Sequence, residues 1–233
     1  MSAARAQPVT IQVDEACTVS GLLQDPGDAR ACFVFAHGAG AGMRHSSMAT
    51  VADDLSAQGF ATLRYQFPYM ERGSRRPDAP ALCHATVRAA VDEAARLMAG
   101  LPLFAGGRSF GGRMTSQAQA LAALPGVHGL AFLAFPLHPA GRPSQERAGH
   151  LAQVEIPMLF LSGTRDELAT LELLEPVVQR LGKRATLKLL READHSFHVR
   201  AASGRRDPEV RQEMIGAFIE WMKGVLQWRT SAS

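Results

Sequence analysis

The segment Leu103-Phe104-Ala105-Gly106-Gly107-Arg108-Ser109-Phe110-Gly111-Gly112-Arg113 limits what this chain can fold into more than any other. Three apolar residues run into paired glycines, a serine follows as Gly107-x-Ser109-x-Gly111, and an Ala-, Leu- and Met-containing helical pattern comes next. Strand, sharp turn and helix in that order make a nucleophile elbow, which lifts a side chain above the carboxyl edge of a sheet. A side chain at Gly107 or Gly111 would collide with the neighbouring strand and helix, and Ser109 is predicted to hold a strained backbone conformation. Its hydroxyl would lie beside the positive end of the helix that starts near Gly111. The competing reading is a Gly-rich turn with a capping serine, and only partners elsewhere in the chain separate the two.

Those partners need a sheet to hold them, and the chain is long enough for one. Its 233 residues, 46% hydrophobic and 20% charged, fit a single domain with one well-filled core. We read residues 1–233 as that domain, with 1–7 and 229–233 as frayed tails. Val9 to Val13 and Cys17 to Leu23 pair as strands. Ala31 to Ala36 is a continuous apolar run, the mark of a strand covered on both faces. A helix capped by Ser46 or Ser47 follows, then a strand from Phe60 to Tyr65 and a Pro-containing loop from Gln66 to Pro80. Ala81 to Ala99 and Met114 to Leu124 read as helices, Leu103 to Ala105 and Leu130 to Phe135 as strands. Pro136 to Ala148 reads as a loop too short to hold a cap domain. Met158 to Ser162 and Thr186 to Leu190 are strands separated by a helix that begins late or kinks at Pro176. Asp207-Pro208-Glu209 opens the closing helix, with Asp207 as its N-cap. Alternating strands and helices predict an α/β fold with a mostly parallel sheet covered on both faces.

Against that frame the chemistry-bearing residues fall in a telling order. A serine hydroxyl needs a base within reach and a third group to hold the base. Asp166 follows the strand that ends at Ser162, and His195 follows the strand that ends at Leu190. Ser109, Asp166 and His195 therefore share one rim of the sheet, in the chain order an elbow fold uses. Glu167 is the rival acid and His198 the rival base. The oxyanion hole is predicted from the N–H of Phe110 and, in His37-Gly38-Ala39-Gly40, that of Ala39. His37 itself is expected to fix that loop. Gly38, Gly40, Phe67, Tyr69, Met70 and His138 are candidate pocket residues, with Phe67, Tyr69 and Met70 either lining an acyl site or packing the loop down. Arg108 is expected to anchor to a carboxylate beneath the turn or to meet substrate directly.

Other classes are disfavoured. The net charge is +3, but the arginines lie scattered or in polar loops such as Arg72 to Arg76, with few aromatics among them to stack bases, so no nucleic-acid partner is expected. No HExxH or similar spacing suggests a metal, no Walker lysine a nucleotide, and no cofactor is expected. No apolar run could cross a bilayer, and Met1 to Pro8 lacks the apolar core of a signal peptide, so the expected location is cytoplasmic with no membrane partner. The three cysteines, Cys17, Cys32 and Cys83, carry no CxxC spacing.

Phe35-Ala36-His37-Gly38-Ala39-Gly40-Ala41-Gly42-Met43, Arg64-Tyr65-Gln66-Phe67-Pro68-Tyr69-Met70, Gly107 to Arg113, Pro136-Leu137-His138-Pro139 and Asp194-His195-Ser196-Phe197 together resemble the small bacterial α/β-hydrolases. More narrowly they resemble a dienelactone-hydrolase-like subgroup that shares its domain with a subunit of a eukaryotic nuclear acetyltransferase complex. The resemblance covers roughly Phe33 to Trp221. It implies an α/β-hydrolase fold with about eight strands and a Ser109-Asp166-His195 triad, although true dienelactone hydrolases carry cysteine where Ser109 stands. The expected activity is hydrolysis of a small soluble ester, lactone or thioester, the partner a small-molecule acyl substrate, and the chain a monomer or homodimer. A non-catalytic binding or scaffold role on the same fold, or amidase, acyltransferase or perhydrolase chemistry, stays open at this point.

Overall fold

A computed structural model describes residues 4–230, with the side chains of 228–230 left aside. One sheet of eight strands runs through the described residues. The antiparallel pair β1 (Gln7–Asp14) and β2 (Cys17–Gln24) forms one side. Six strands follow: β3 (Cys32–Ala36), β4 (Ala61–Tyr65), β5 (Leu103–Arg108), β6 (Val127–Leu133), β7 (Met158–Gly163) and β8 (Ala185–Leu190). The order is β1-β2-β4-β3-β5-β6-β7-β8, and every pairing from β4 to β8 is parallel. Every residue of β3, β4 and β7 is buried, whereas β8, at the edge, is mostly half-buried, with Thr186 exposed and Leu190 buried. Burial along their whole length follows from having a helical layer on each face.

The described residues hold six α-helices, which form those layers: α1 (Ser46–Ala57), α2 (Pro68–Glu71), α3 (Pro80–Leu97), α4 (Phe110–Leu121), α5 (Leu171–Leu181) and α6 (Asp207–Thr230). Val87, Val91, Met114, Ala118, Leu174 and Val177 of α3, α4 and α5 pack on one face of the sheet. Met48, Val51 and Leu55 of α1 meet Met214, Phe218 and Met222 of α6 on the other. Strand order reverses at β3, whose chain partners β4 and β5 lie on opposite sides of it. In open α/β sheets the crevice beyond such a reversal is where ligands bind. Here that crevice lies between the loop after β3 and the turn after β5.

Several local expectations are corrected. The α1 cap is the ring of His45, which accepts the Ser47 N–H, not Ser46 or Ser47. The segment from Gln66 to Pro80 contains α2, opened by Pro68 in its first turn. Residues Glu146–Gln153 form a 3-10 helix where the loop from Pro136 to Ala148 ends. Helix α4 begins at Phe110 and stops at Leu121, and Leu124 beyond it is core. Helix α5 starts ahead of Pro176, so the proline does not delay it. Asp207 lies inside α6 and turns its carboxylate outward to His198 and Val199, while the Arg206 carbonyl accepts the first N–H groups. Nor are all the tail residues frayed: Gln7 opens β1, the Ala4 N–H reaches Ser56 Oγ at 3.2 Å, and α6 runs through Arg229 to Thr230. The rest of the tails, residues 1–3 and 231–233, lies outside the described residues.

Candidate active site

Ser109 sits between β5 and α4 at φ 49° and ψ −114°, a conformation that L residues rarely adopt. Packing holds it there. The Ser109 N–H donates to the Leu133 carbonyl at 2.9 Å, and the turn presses against the end of β3. A Cβ on Gly107 would stand 2.6 Å from the Ala36 oxygen, and one on Gly111 would stand 2.5 Å from the His37 oxygen. Only glycine at both positions lets the elbow close onto β3.

Asp166 follows β7 in a turn closed by its own N–H on the Gly163 carbonyl, at 3.2 Å. Its carboxylate is fully buried and accepts the Leu168 N–H at 2.8 Å. The loop that carries His195 comes against the same strand end, since Arg165 N–H donates to the Ala193 carbonyl at 2.9 Å. Gly163 permits that approach, because a Cβ there would lie 2.2 Å from the Ala193 oxygen. Asp194 Oδ1 then fixes the loop by accepting the N–H groups of Ser196 and His198.

The result is a chain of hydrogen bonds among three side chains that are distant in sequence. Ser109 Oγ lies 2.9 Å from His195 Nε2, and His195 Nδ1 lies 2.9 and 2.8 Å from the two oxygens of Asp166. With Nδ1–H donating to Asp166, Nε2 is left as the acceptor for the serine proton. The rivals stand elsewhere. His198 pairs with Asp207 at 2.8 Å, which raises its pKa, and Glu167 is exposed with no hydrogen bond to another described residue.

The loop after β3 is clamped from one side. His37 Nε2 accepts the Phe67 N–H at 3.0 Å, which leaves Nδ1–H to donate to the Gly38 carbonyl at 2.8 Å. Burial lowers the His37 pKa to about 4, so the ring is neutral as that pattern requires. Tyr69 Oη donates to the Ala39 carbonyl at 2.9 Å. A carbonyl and the following N–H point opposite ways across a trans peptide, so holding Gly38 O fixes the direction of Ala39 N–H. Neither Ala39 N–H nor Phe110 N–H donates to any described residue, and both are available to a developing negative charge. Gly40 N–H is equally free. Gly38 lies beside the nucleophile, since a Cβ added there would stand 4.0 Å from Ser109 Cβ.

The remaining candidates divide. Phe67 and Tyr69 are fully buried and pack edge-on to Phe110, so they support the site from beneath instead of lining it. Met70 packs against the same core, and Gly40 lines a separate cavity with Gln66 and Glu71. His138 is also buried, with Nδ1 3.0 Å from the Pro139 carbonyl, and borders none of the cavities beside the triad. Arg108 makes no ion pair with a carboxylate among the described residues; Asp194 is the opposing charge that acts on it from a distance. Residue types alone missed the Tyr69 hydroxyl as a loop clamp. Its spacing after Phe67-Pro68, where a short helix turns it back, carried the only hint. Among the described residues no cluster of His, Cys, Asp and Glu is arranged to hold a metal ion, and no helix is long and apolar enough to cross a membrane.

Comparison with solved structures places this fold in a wide group. A dienelactone hydrolase from Anabaena variabilis superimposes with a TM-score of 0.75 at 21% identity, covering 93% of this chain and 97% of its own. An alpha-beta serine hydrolase homologue from Coxiella burnetii gives 0.73 at 19%, with 93% and 99% covered. A lidless a/b serine hydrolase from Xanthomonas campestris gives 0.72 at 19%, with 93% and 95% covered. At these identities the likeness is one of fold. Residues 29–223 match the family described as alpha/beta hydrolase domain, and with the eight-stranded sheet and the elbow at Ser109 the chain belongs to that family.

Proposed function

We propose that the protein is a serine hydrolase that cleaves small, dissolved carboxylic esters, lactones or thioesters. The observation that carries this reading is the continuous hydrogen-bond path from Ser109 Oγ through His195 to the buried Asp166 carboxylate. A substrate carbonyl above Ser109 would take the Oγ lone pair as His195 Nε2 accepts the hydroxyl proton. Asp166 stabilises the imidazolium, and the N–H groups of Phe110 and Ala39 receive the oxyanion. Collapse breaks the acyl–oxygen or acyl–sulfur bond, and His195 returns the proton to the leaving group. Water then repeats the sequence on the acyl-enzyme and frees the acid and Ser109. The neighbouring folds described as serine hydrolases and a dienelactone hydrolase support a hydrolytic role.

A neutral fluorophosphonate probe tests this directly. The wild type should be labelled at Ser109 and should hydrolyse short p-nitrophenyl esters. Ser109→Ala should lose labelling and at least about a thousandfold in kcat while remaining folded, since the change adds no bulk to the elbow. Wild-type protein that neither labels nor hydrolyses would leave the fold as a binding surface.

A further inference from the structure

The α1/α6 face holds a cavity that the proposed chemistry does not use. It measures about 210 Å³ and opens between the start of α1, the first turns of α6 and the loop after β8. Phe35, Val51, Leu133 and Met214 give it apolar walls, and Arg108 and Ser196 stand at the polar side. Each of these last two is the chain neighbour of a triad member: Arg108 precedes Ser109, and Ser196 follows His195. Alternation along β5 explains why Arg108 points here, since Phe104 two turns of the pleat earlier faces the same helical layer.

Most polar groups around this cavity are already occupied. Arg211 pairs with Asp54 at 3.0 Å. Asp207 accepts from the His198 ring and the Val199 N–H. The Ser47 hydroxyl meets His45, and Thr50 donates to the Ser46 carbonyl. Asp194, the one opposing charge felt by Arg108, already accepts two backbone N–H groups. Arg108 is different. Its guanidinium makes no hydrogen bond or ion pair with any described residue, although burial removes much of its water. The Ser46 and Ser196 hydroxyls are likewise without partners among the described residues. A partly desolvated guanidinium with no hydrogen-bonding partner from the described residues is a ready site for an anion, and its planar fork suits a carboxylate.

We infer that this cavity binds the carboxylate end of the substrate, so that the preferred esters carry a second, ionised carboxyl group at the far end of a short acyl chain. The inference rests on the hydrolase reading above. A volume near 210 Å³ holds a short acyl chain and its carboxylate but no nucleotide-sized group. The products are then a small dicarboxylate and an alcohol or thiol.

The test compares p-nitrophenyl esters of matched length ending in methyl, carboxylate or phosphonate, at low salt. In the wild type the carboxylate ester should exceed the methyl ester in kcat/KM by at least about tenfold, through a lower KM. Arg108→Gln should bring that ratio close to one, and Arg108→Lys should restore part of it. A second measurement needs no variant: glutarate should slow fluorophosphonate labelling of Ser109 at concentrations where glutaramide does not. If the wild type labels and cleaves the methyl ester yet shows no carboxylate preference and no glutarate protection, the subsite is overturned and the hydrolase reading stands. Absence of both labelling and methyl-ester cleavage overturns the hydrolase reading itself. A ratio unchanged by Arg108→Gln would place anion recognition elsewhere, and a faster phosphonate ester would overturn the assignment to carboxylate.

Discussion

Asp166 and Glu167 are adjacent carboxylates in opposite surroundings. Asp166 is buried, holds the Leu168 N–H and faces His195 Nδ1 with both oxygens, whereas Glu167 is exposed. Asp166→Asn should therefore lower kcat by roughly 10³ to 10⁴, because an amide both loses the charge and disfavours the Nδ1–H tautomer. Glu167→Gln should stay within about threefold of wild type. Steady-state rates on one short ester check both, and a severe Glu167→Gln would reassign the acid. The sequence places both residues just past one strand end, so order and placement alone could not separate them. The turn that seats Asp166 on Gly163 did so. Arg108 teaches the same lesson in reverse. Its charge inside a Gly-rich turn was conspicuous, but the lack of a carboxylate partner depends on which side chains reach it across the fold.

The loop from His37 to Gly40 shows how elements without catalytic groups shape the site. His37 and Tyr69 come from opposite sides of the β3–β4 crossover, yet each holds one carbonyl of the same tripeptide. Removing the Tyr69 bond frees the Ala39 carbonyl, and with it the Gly40 N–H of the same peptide, and so should loosen the loop that carries the Ala39 N–H without emptying the core. Tyr69→Phe keeps the ring packed against Phe110 and deletes only the hydroxyl. We expect it to lower kcat about three- to thirtyfold with KM little changed, and to shift the urea midpoint by no more than about 1 kcal/mol of stability. Equal losses in kcat/KM and stability would make Tyr69 a packing residue alone. Of the elements themselves, the buried parallel strands were plain in the sequence as apolar runs closed by glycine or proline. Helix α2 was hidden because Pro68 reads equally as loop punctuation and as a first helical residue. Where the aromatic residues of that segment point was not legible at all, since burial depends on neighbours brought in by α3 and α4.

Two neutral histidines, His37 buried and His150 half-buried, make the stability depend on pH. Burial lowers His37 to about 4 and His150 to about 4, against about 6.5 for the ordinary side chain. Between those values the unfolded chain binds more protons than the folded one, so stability is full above about pH 6.5 and falls as pH drops towards 4. For His37 the full effect is on the order of 3 kcal/mol. The exposed His198–Asp207 pair acts in the opposite sense, being lost as pH rises, and cannot offset this. Urea midpoints should hold from pH 7.5 to about 6.5 and then decline to pH 4.5, and a flat line throughout would mean that these rings accept protons without strain. A last consequence comes from the way the triad is divided along the chain. Ser109 precedes the exposed turn Pro139–Arg142, and Asp166 and His195 follow it. A nick in that turn would give one fragment holding the nucleophile and another holding its base and acid. Each would be inert alone, and reactivity would return only as β6 and β7 reunited, so the hydroxyl of Ser109 reports the reassembly of the entire sheet.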